Sequence, residues 1–356
     1  MLVQRLIRLI PQSIKKQIPG SWKHWLKARL IGQIPKDKFD ELATKEDVYY
    51  CYRLILGRNP DPDGWHTYMA HILKGEKVHS LVSMFLASPE FKNRKIFQFN
   101  SPIKYVLVEL DNFKLYVSPD DWAVGRTILE KREYEPHVTA ALRKILEPGM
   151  VFVDVGANIG YFSLMAAQIV GNQGRVISFE PNPHNCGLLY SSAQSNNFEN
   201  IDIYPYAVAE KEAIFLYDPL ASNGIISDFG RDLEILDAGR ILVRSVTLDK
   251  VLQGIRKIHV IKIDVEGAEY KVIQGARNIL KEHRPILFSE FSPGGLQNVS
   301  KVSGKAYLRL FIENNYHISI ILDQKRLIPC KDDLSKILHF FEKSRSDHID
   351  MVAHPQ

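Results

Sequence analysis

Residues 151–160 read VFVDVGANIG, an apolar strand running into a glycine turn, and residues 161–170, YFSLMAAQIV, continue as a helix. Glycines at such a turn let a ligand approach the backbone at the carboxyl edge of a sheet, where open α/β folds bind ligands. The next apolar run, RVISFE, ends at Glu180, twenty residues past Gly160, in place to accept hydrogen bonds from both hydroxyls of a ribose. A glycine turn with an acid in that register predicts an adenosine-type cofactor. The turn is spaced G-x-x-x-G, whereas a nicotinamide dinucleotide usually meets G-x-G-x-x-G, and Asp154 stands two residues before Gly156. A carboxylate there repels a diphosphate and attracts a cation; S-adenosylmethionine carries a sulfonium and an ammonium and no phosphate. The residues therefore favour S-adenosylmethionine. The alternative, that Asp154 only ties the loop by hydrogen bonds, leaves the cofactor unchanged.

Outward from this turn, MVFVDV, RVISFE, NIDIYPYAV, HVIKIDV and PILFSEF alternate with helices or irregular crossovers, which predicts a doubly wound parallel sheet. Upstream, KYVLVEL and FKLYV form an expected antiparallel pair, and PHVTAALRKIL an expected helix ending near Pro148-Gly149. Asp264 and Glu266 end the fourth strand and Glu290 the fifth, so three carboxylates crowd the edge where a donor's methyl should lie. An alcohol is a poor nucleophile until its proton is being removed, and a positioned carboxylate contributes about 10²–10⁴-fold. Asp264 is the first candidate for base or acceptor-positioning group, with Glu266 or Glu290 second. Glu269 is read as an acid favouring the start of the helix EYKVIQGARNIL. Such carboxylates can also hold Mg²⁺ or Ca²⁺, but no metal is assigned. His137, His184, His259, His283 and His317 show no metal-ligand spacing. Ser222-Asn223-Gly224, in a long connection after the third strand, is either a lid over the acceptor pocket or plain surface.

The chain has 356 residues, 45% apolar and 24% charged, values of a globular protein rather than a disordered or fibrous one. Cys51, Cys186 and Cys330 stand far apart, which suits a reducing compartment. No apolar run reaches the roughly 18 residues of a membrane span. The net charge of +5 is uneven: residues 1–38 carry +8, leaving −3 for the remaining 318. A mildly acidic body argues against a nucleic-acid partner. Residues 1–40 place basic and apolar positions at helical spacing, with Leu2, Leu6 and Leu9 and then Trp22, Trp25 and Leu26 on the apolar stripe. Such a segment either lies on an anionic membrane surface or docks on the body.

Residues 45–99 read as a small helical domain whose turn, Arg58-Asn59-Pro60-Asp61-Pro62-Asp63-Gly64, imitates half of a calcium loop. Ala70 stands where the bidentate acid belongs, so helix capping is the preferred reading. The pattern YRLILGRNPDPDGW through ASPEF resembles a small uncharacterised helical domain family of bacterial proteins, found beside glycan-modifying domains.

The run YEPHVTAALRKILEPGMVFVDVGANIGYFSLMAA, then VISFEPNP, SVTLDKVL, IKIDVEGAEYKVIQGARNIL and PILFSEF, resembles the FkbM family of S-adenosylmethionine-dependent methyltransferases over about 230 residues. That resemblance implies a class I methyltransferase, Rossmann-like, α/β fold and O-methylation of a small polar acceptor, often a sugar hydroxyl. It matches Tyr134 and Glu135 to the family's pre-strand YEP, Asp154, Gly156, Asn158 and Gly160 to its donor loop and Glu180 to its ribose-binding acid, which implies these at the cofactor, and it matches Asp264, Glu266, Gly267 and Glu269 to the DVEGAE segment and Glu290 to the acid ending the next strand. At the end of the third strand the chain has Pro205-Tyr206-Ala207 where many relatives have Asn before the Ala, so adenine contacts there stay unassigned. The expected organisation is 1–40, a basic segment; 45–99, a helical domain; 101–330, the methyltransferase domain; and 331–356, a C-terminal extension. The expected activity is methyl transfer to a hydroxyl of a sugar, glycan or glycolipid-type acceptor, in the cytoplasm or peripherally at the inner membrane face. A nicotinamide-dependent oxidoreductase and a non-catalytic scaffold are the alternatives.

Overall fold

The computed structural model describes residues 41–94, 105–220, 223–228 and 240–356. The basic segment, with its expected membrane contact, lies outside the described residues, as does Ser222. The chain divides into two compact units, residues 1–101 and 102–356.

The first unit holds α1 (Lys45–Leu54), α2 (Pro62–Ile72), α3 (Val78–Ala87) and α4 (Pro89–Arg94). Thr44 and Asp47 close a capping box on α1. Asp61 caps α2 by accepting from the Gly64 N–H at 2.8 Å, with Pro62 at the first helical position. The turn's acid thus works as a cap. Arg58 makes a two-pronged bond to Glu90, at 2.6 and 2.7 Å, tying this turn to the SPEF segment. Gly64 has no room for a Cβ because the Tyr52 hydroxyl lies against it. Tyr52, Leu81 and Phe85 form the centre of the core.

The second unit begins with the antiparallel pair β1 (Val106–Glu109) and β2 (Lys114–Val117), followed by α5 (Gly125–Lys131) and α6 (Pro136–Ile145). Then come β3 (Val151–Val155), α7 (Tyr161–Val170), β4 (Arg175–Phe179), α8 (Pro183–Ser195) and β5 (Ile201–Tyr204). After the segment described next, the chain continues through β10 (Val260–Ile263), α10 (Glu269–Gln274), α11 (Arg277–His283), β11 (Ile286–Phe291), α12 (Pro293–Val299) and α13 (Gly304–Glu313). It ends with β12 (Tyr316–Ile321), β13 (Leu327–Lys331), α14 (Leu334–Ser344) and β14 (Ile349–Pro355). The main sheet has the order β13-β12-β14-β11-β10-β3-β4-β5. Strands β11, β10, β3, β4 and β5 pair in parallel, and β14 runs antiparallel to both β11 and β12. Side chains alternate across the sheet: Phe152 joins one core with α7 and α8, while Val153 and Val155 join the other with α10, α11 and α13. This is the doubly wound α/β sheet that the sequence predicts, preceded in the chain by a helical unit.

Two expectations need correction. Residues 331–356 are no extension, because β14 fills the gap between β11 and β12 and so completes the sheet. NIDIYPYAV, expected as one strand, is broken after β5. Pro205 has no N–H to continue the ladder, and the chain turns there into β6 (Ala207–Val208). That strand joins a second sheet, β6-β9-β7-β8, with β7 (Ile214–Leu220) and β8 (Asn223–Asp228) as an antiparallel hairpin and β9 (Ile241–Val246). A short helix, α9 (Leu248–Val251), leads from β9 to β10.

Candidate active site

A cavity of about 320 Å³ opens at the carboxyl edge of the main sheet, where β3, β4, β10 and β11 end. Its floor is the turn 156–159 and its sides are the segments after β4 and β10. Gly156 has φ +84° and its Cα packs on the Asp264 carbonyl, so no side chain fits between β3 and β10 at this point.

Glu180 is buried and lines the cavity. Its two oxygens accept from the backbone N–H groups of Asn158 and Asn182, both at 2.8 Å. Burial pushes its carboxyl up to about 7, against these two donors, which favour the charged form. Phe179, Tyr206, Ala207 and Val208 supply an apolar wall beside it. Tyr134 and Glu135 enter from the start of α6, and burial first, then Asp264, raises the Glu135 carboxyl above its usual range.

Asp154 does not line the cavity. Strand alternation turns it to the face covered by α7, where it is fully buried and accepts from Ser163 Oγ at 2.6 Å. Ser163 Oγ in turn accepts from Ser178 Oγ at 2.8 Å. Asp154 faces Lys262 across the β3–β10 register. Lys262 is buried, lies 4.6 Å from the centre of the Phe162 ring, and donates to Asp264 Oδ2 at 2.7 Å. Burial opposes the charge on Lys262, but Asp264, Asp154 and Glu135 together outweigh it and hold the ammonium protonated. Gly160 caps α7 at φ +98° with Leu189 against its Cα. It too shapes the turn without lining the cavity.

Asp264, Glu266 and Glu290 do meet in the cavity. Burial first, then Asp264, Glu269 and Glu266, holds the Glu290 carboxyl far above the usual carboxylate range. Glu269, expected to favour its helix, accepts instead from the N–H groups of Val265 and Gly267, both at 3.1 Å, and so shapes the turn that carries Glu266. Glu135, Asn158 and Glu266 all have left-handed backbones, at φ 40°, 52° and 52°. Arg132, Arg284 and Arg345 share that conformation as helix C-caps, whereas these three gather around one cavity. Strain of this kind is stored where side chains must be aimed.

Asn223, at the start of β8, reaches across. Its Oδ1 accepts from Asn158 Nδ2 at 2.9 Å and its Nδ2 donates to Glu266 Oε1 at 2.8 Å, so the hairpin is buckled to both turns of the main sheet. Each bond is worth about 1 kcal/mol or more, and the one to Glu266 is charge-assisted. Asn223→Ala should therefore raise the KM for the donor or the acceptor roughly tenfold, with unchanged circular dichroism. Unaltered steady-state constants would show the bridge to be idle.

Lys262, Tyr217, Ser292, Asp347 and His348 line the cavity and were not singled out in sequence. A lysine within the apolar strand HVIKIDV was the one local signal among them. Among the described residues, no group of three or more His, Cys, Asp or Glu side chains is arranged to hold a metal.

The cavity suits a nucleoside carrying a cation. It offers a buried acid at the end of β4 for a ribose, an apolar wall for a base, and carboxylates rather than free cations beyond. Among solved structures, the methyltransferase FkbM from Methylobacillus flagellatus aligns at 16% identity over 79% of this chain and 57% of its own, with TM-score 0.36. The O-methyltransferase from Bacillus cereus in complex with SAH aligns at 12% over 64% and 84%, also at 0.36. The hexuronic acid methyltransferase AglP of Haloferax volcanii is 25% identical over 177 residues, 49% of this chain and 70% of that one. Residues 36–95 match a domain of unknown function, DUF4214. Residues 154–318 match the methyltransferase FkbM domain and take in the turn, Glu180, Lys262 and the three acids. Methyl transfer then replaces the oxidoreductase and scaffold alternatives, and the chain, through this FkbM domain, is an S-adenosylmethionine-dependent methyltransferase.

Proposed function

We propose that the chain methylates a hydroxyl of a neutral sugar, glycan or glycolipid-type acceptor. The observation that carries this is the acidic lining of the cavity: Glu135, Asp264, Glu266 and Asp347 stand there with a Glu290 whose burial favours its neutral form, and the one lysine among the described lining residues is bound to Asp264. Carboxylates accept hydrogen bonds from hydroxyls, whereas an anionic acceptor meets like charge. A relative named for a hexuronic acid supports the sugar class.

In this reading Glu180 holds the ribose hydroxyls, with Asn158, Gly156 and Gly160 shaping the turn beneath it and Asp154 fixing that turn from below. Tyr134 and Glu135 stand by the cationic end of the donor, and Tyr206 to Val208 face its base. When bound, S-adenosylmethionine supplies an electrophilic methyl group. Asp264, held by Lys262, and Glu266, held by Asn223, orient the acceptor, and most of the acceleration comes from holding the reacting atoms in line. The test is incubation with methyl-labelled donor and a panel of methyl glycosides of glucose, mannose, galactose and rhamnose, a glucuronide, and a lipid-linked glycan fraction. Neutral sugars should be labelled, and preferred labelling of the glucuronide overturns the assignment.

The +8 charge of residues 1–38 supports a peripheral place at an anionic, cytoplasmic membrane face. No described helix is long and apolar enough to cross a membrane. At about 1 kcal/mol per basic residue near such a surface, the full chain should sediment with phosphatidylserine vesicles in low salt and be released at 0.5 M. Serine at Arg5, Arg8, Lys15 and Lys16 should weaken sedimentation sharply, and salt-independent binding would count against the idea.

A further inference from the structure

Methylating a hydroxyl releases a proton, so some group at the cavity must take it. The expected carboxylates are each engaged. Asp264 Oδ2 accepts from Lys262, Glu266 Oε1 accepts from Asn223, and Glu135 bonds the Tyr134 hydroxyl. Glu290 is crowded by Asp264, Glu266, Glu269 and Asp350 in a desolvated position that favours its neutral form, a donor rather than a base.

His348 differs from all of them. It lies in the loop between α14 and β14, lines the cavity beside Ser292 and Asp347, and is half-exposed. Its Nδ1 lies 2.8 Å from Asp347 Oδ1, and its Nε2 has no hydrogen-bond partner among the described residues. An Nδ1–H given to a carboxylate leaves the lone pair on Nε2. Ser292 Oγ donates to the Asp347 carbonyl at 3.0 Å, fixing this loop to the end of β11. The charged groups facing the imidazole are Asp347 on its own loop and Glu266 after β10. Glu290, at the end of β11, lines the same cavity.

We propose that His348 is the general base of the methyl transfer, with Asp347 as its positioning residue. As the acceptor oxygen bonds to the methyl carbon, the carbon–sulfur bond breaks with its electron pair left on sulfur, and the hydroxyl proton passes to His348 Nε2. The half-exposed ring then returns that proton to water. This rests on the hydroxyl-acceptor reading above.

Imidazole nitrogen spectra of the ¹⁵N-labelled full chain, assigned by comparison with His348→Gln, should show the Nδ1–H tautomer at pH 7.5. Asp347→Asn should mix in the other form. An Nε2–H tautomer in the wild type overturns the proposal, whatever the acceptor. On a glycoside labelled in the panel above, His348→Gln should lower kcat a hundredfold or more, on the scale of about 10²–10⁴ for a positioned base. Donor affinity should stay within twofold, and added imidazole should restore part of the rate to His348→Ala. Equal labelling by wild type and His348→Gln overturns the proposal alone. A wild type that labels nothing in the panel overturns the acceptor reading and the proposal with it.

Discussion

Methionine in place of Lys262 should lower the melting temperature by on the order of 10 °C. The ammonium is buried between Asp154 and Asp264, and removing one partner of such a group leaves uncompensated charge at a cost of about 3–5 kcal/mol. For a unit of this size each kcal/mol is worth about 2–4 °C. Methionine keeps the volume and the contact with Phe162, so the loss reports charge rather than packing. Its pH dependence has a definite sign. Burial already raises the Asp154 carboxyl above its ordinary value, and losing Lys262 raises it further. A carboxyl raised in the folded state stabilises fully below its unfolded value, near pH 4, and that contribution is lost as pH climbs through the raised folded value. The deficit should therefore be smaller at pH 5 than at pH 8. Scanning calorimetry at both values checks this, and an unchanged melting temperature at pH 8 would remove the triad from the account of the site.

Alanine at Glu180 should weaken donor binding by roughly a hundredfold. Two hydroxyls bonded to one carboxylate contribute about 1.5–3 kcal/mol each, and the substitution also strands the Asn158 and Asn182 N–H groups that the acid now satisfies. Because burial lifts this carboxyl to about 7, donor affinity in the wild type should strengthen as pH rises from 6 to 8, when the better acceptor form fills. Glu180→Gln should flatten that profile. Calorimetric titration of S-adenosylmethionine measures both, and an affinity untouched by alanine would detach Glu180 from the donor.

The core of the sheet was readable because its central parallel strands β3, β4 and β10 are buried on both faces and so appear as continuous apolar runs, VFVDV, RVISF and VIKI. The turn and its acid were readable because their spacing is local. What escaped notice depends on distant pairing. IFLYDPL contains Pro219, which speaks against a strand, yet Pro219 pairs with Gly224 at the tip of the hairpin, where a missing donor does little harm. Asp154 was expected to face the ligand because it precedes the turn, but the pleat decides its direction. Lys262 has meaning only beside Asp154 and Asp264, and His348 only once β14 has taken its register against β11, pairing Asp350 with Glu290.

That register also has consequences for how the protein is made. Strand β14 comes later in the chain than both of its partners, yet sits between them. On an emerging chain, β11 and β12 can each be shielded by their helices but cannot be bridged until residues 349–355 arrive. Synthesis proceeds at about 5–20 residues per second, so the two strand edges stand open for seconds, a period in which chaperones or stray strands compete for them. The loop carrying Asp347 and His348 takes its place only with that insertion, so the part of the cavity lined by Glu180 and the turn after β3 can form before the part lined by these two residues.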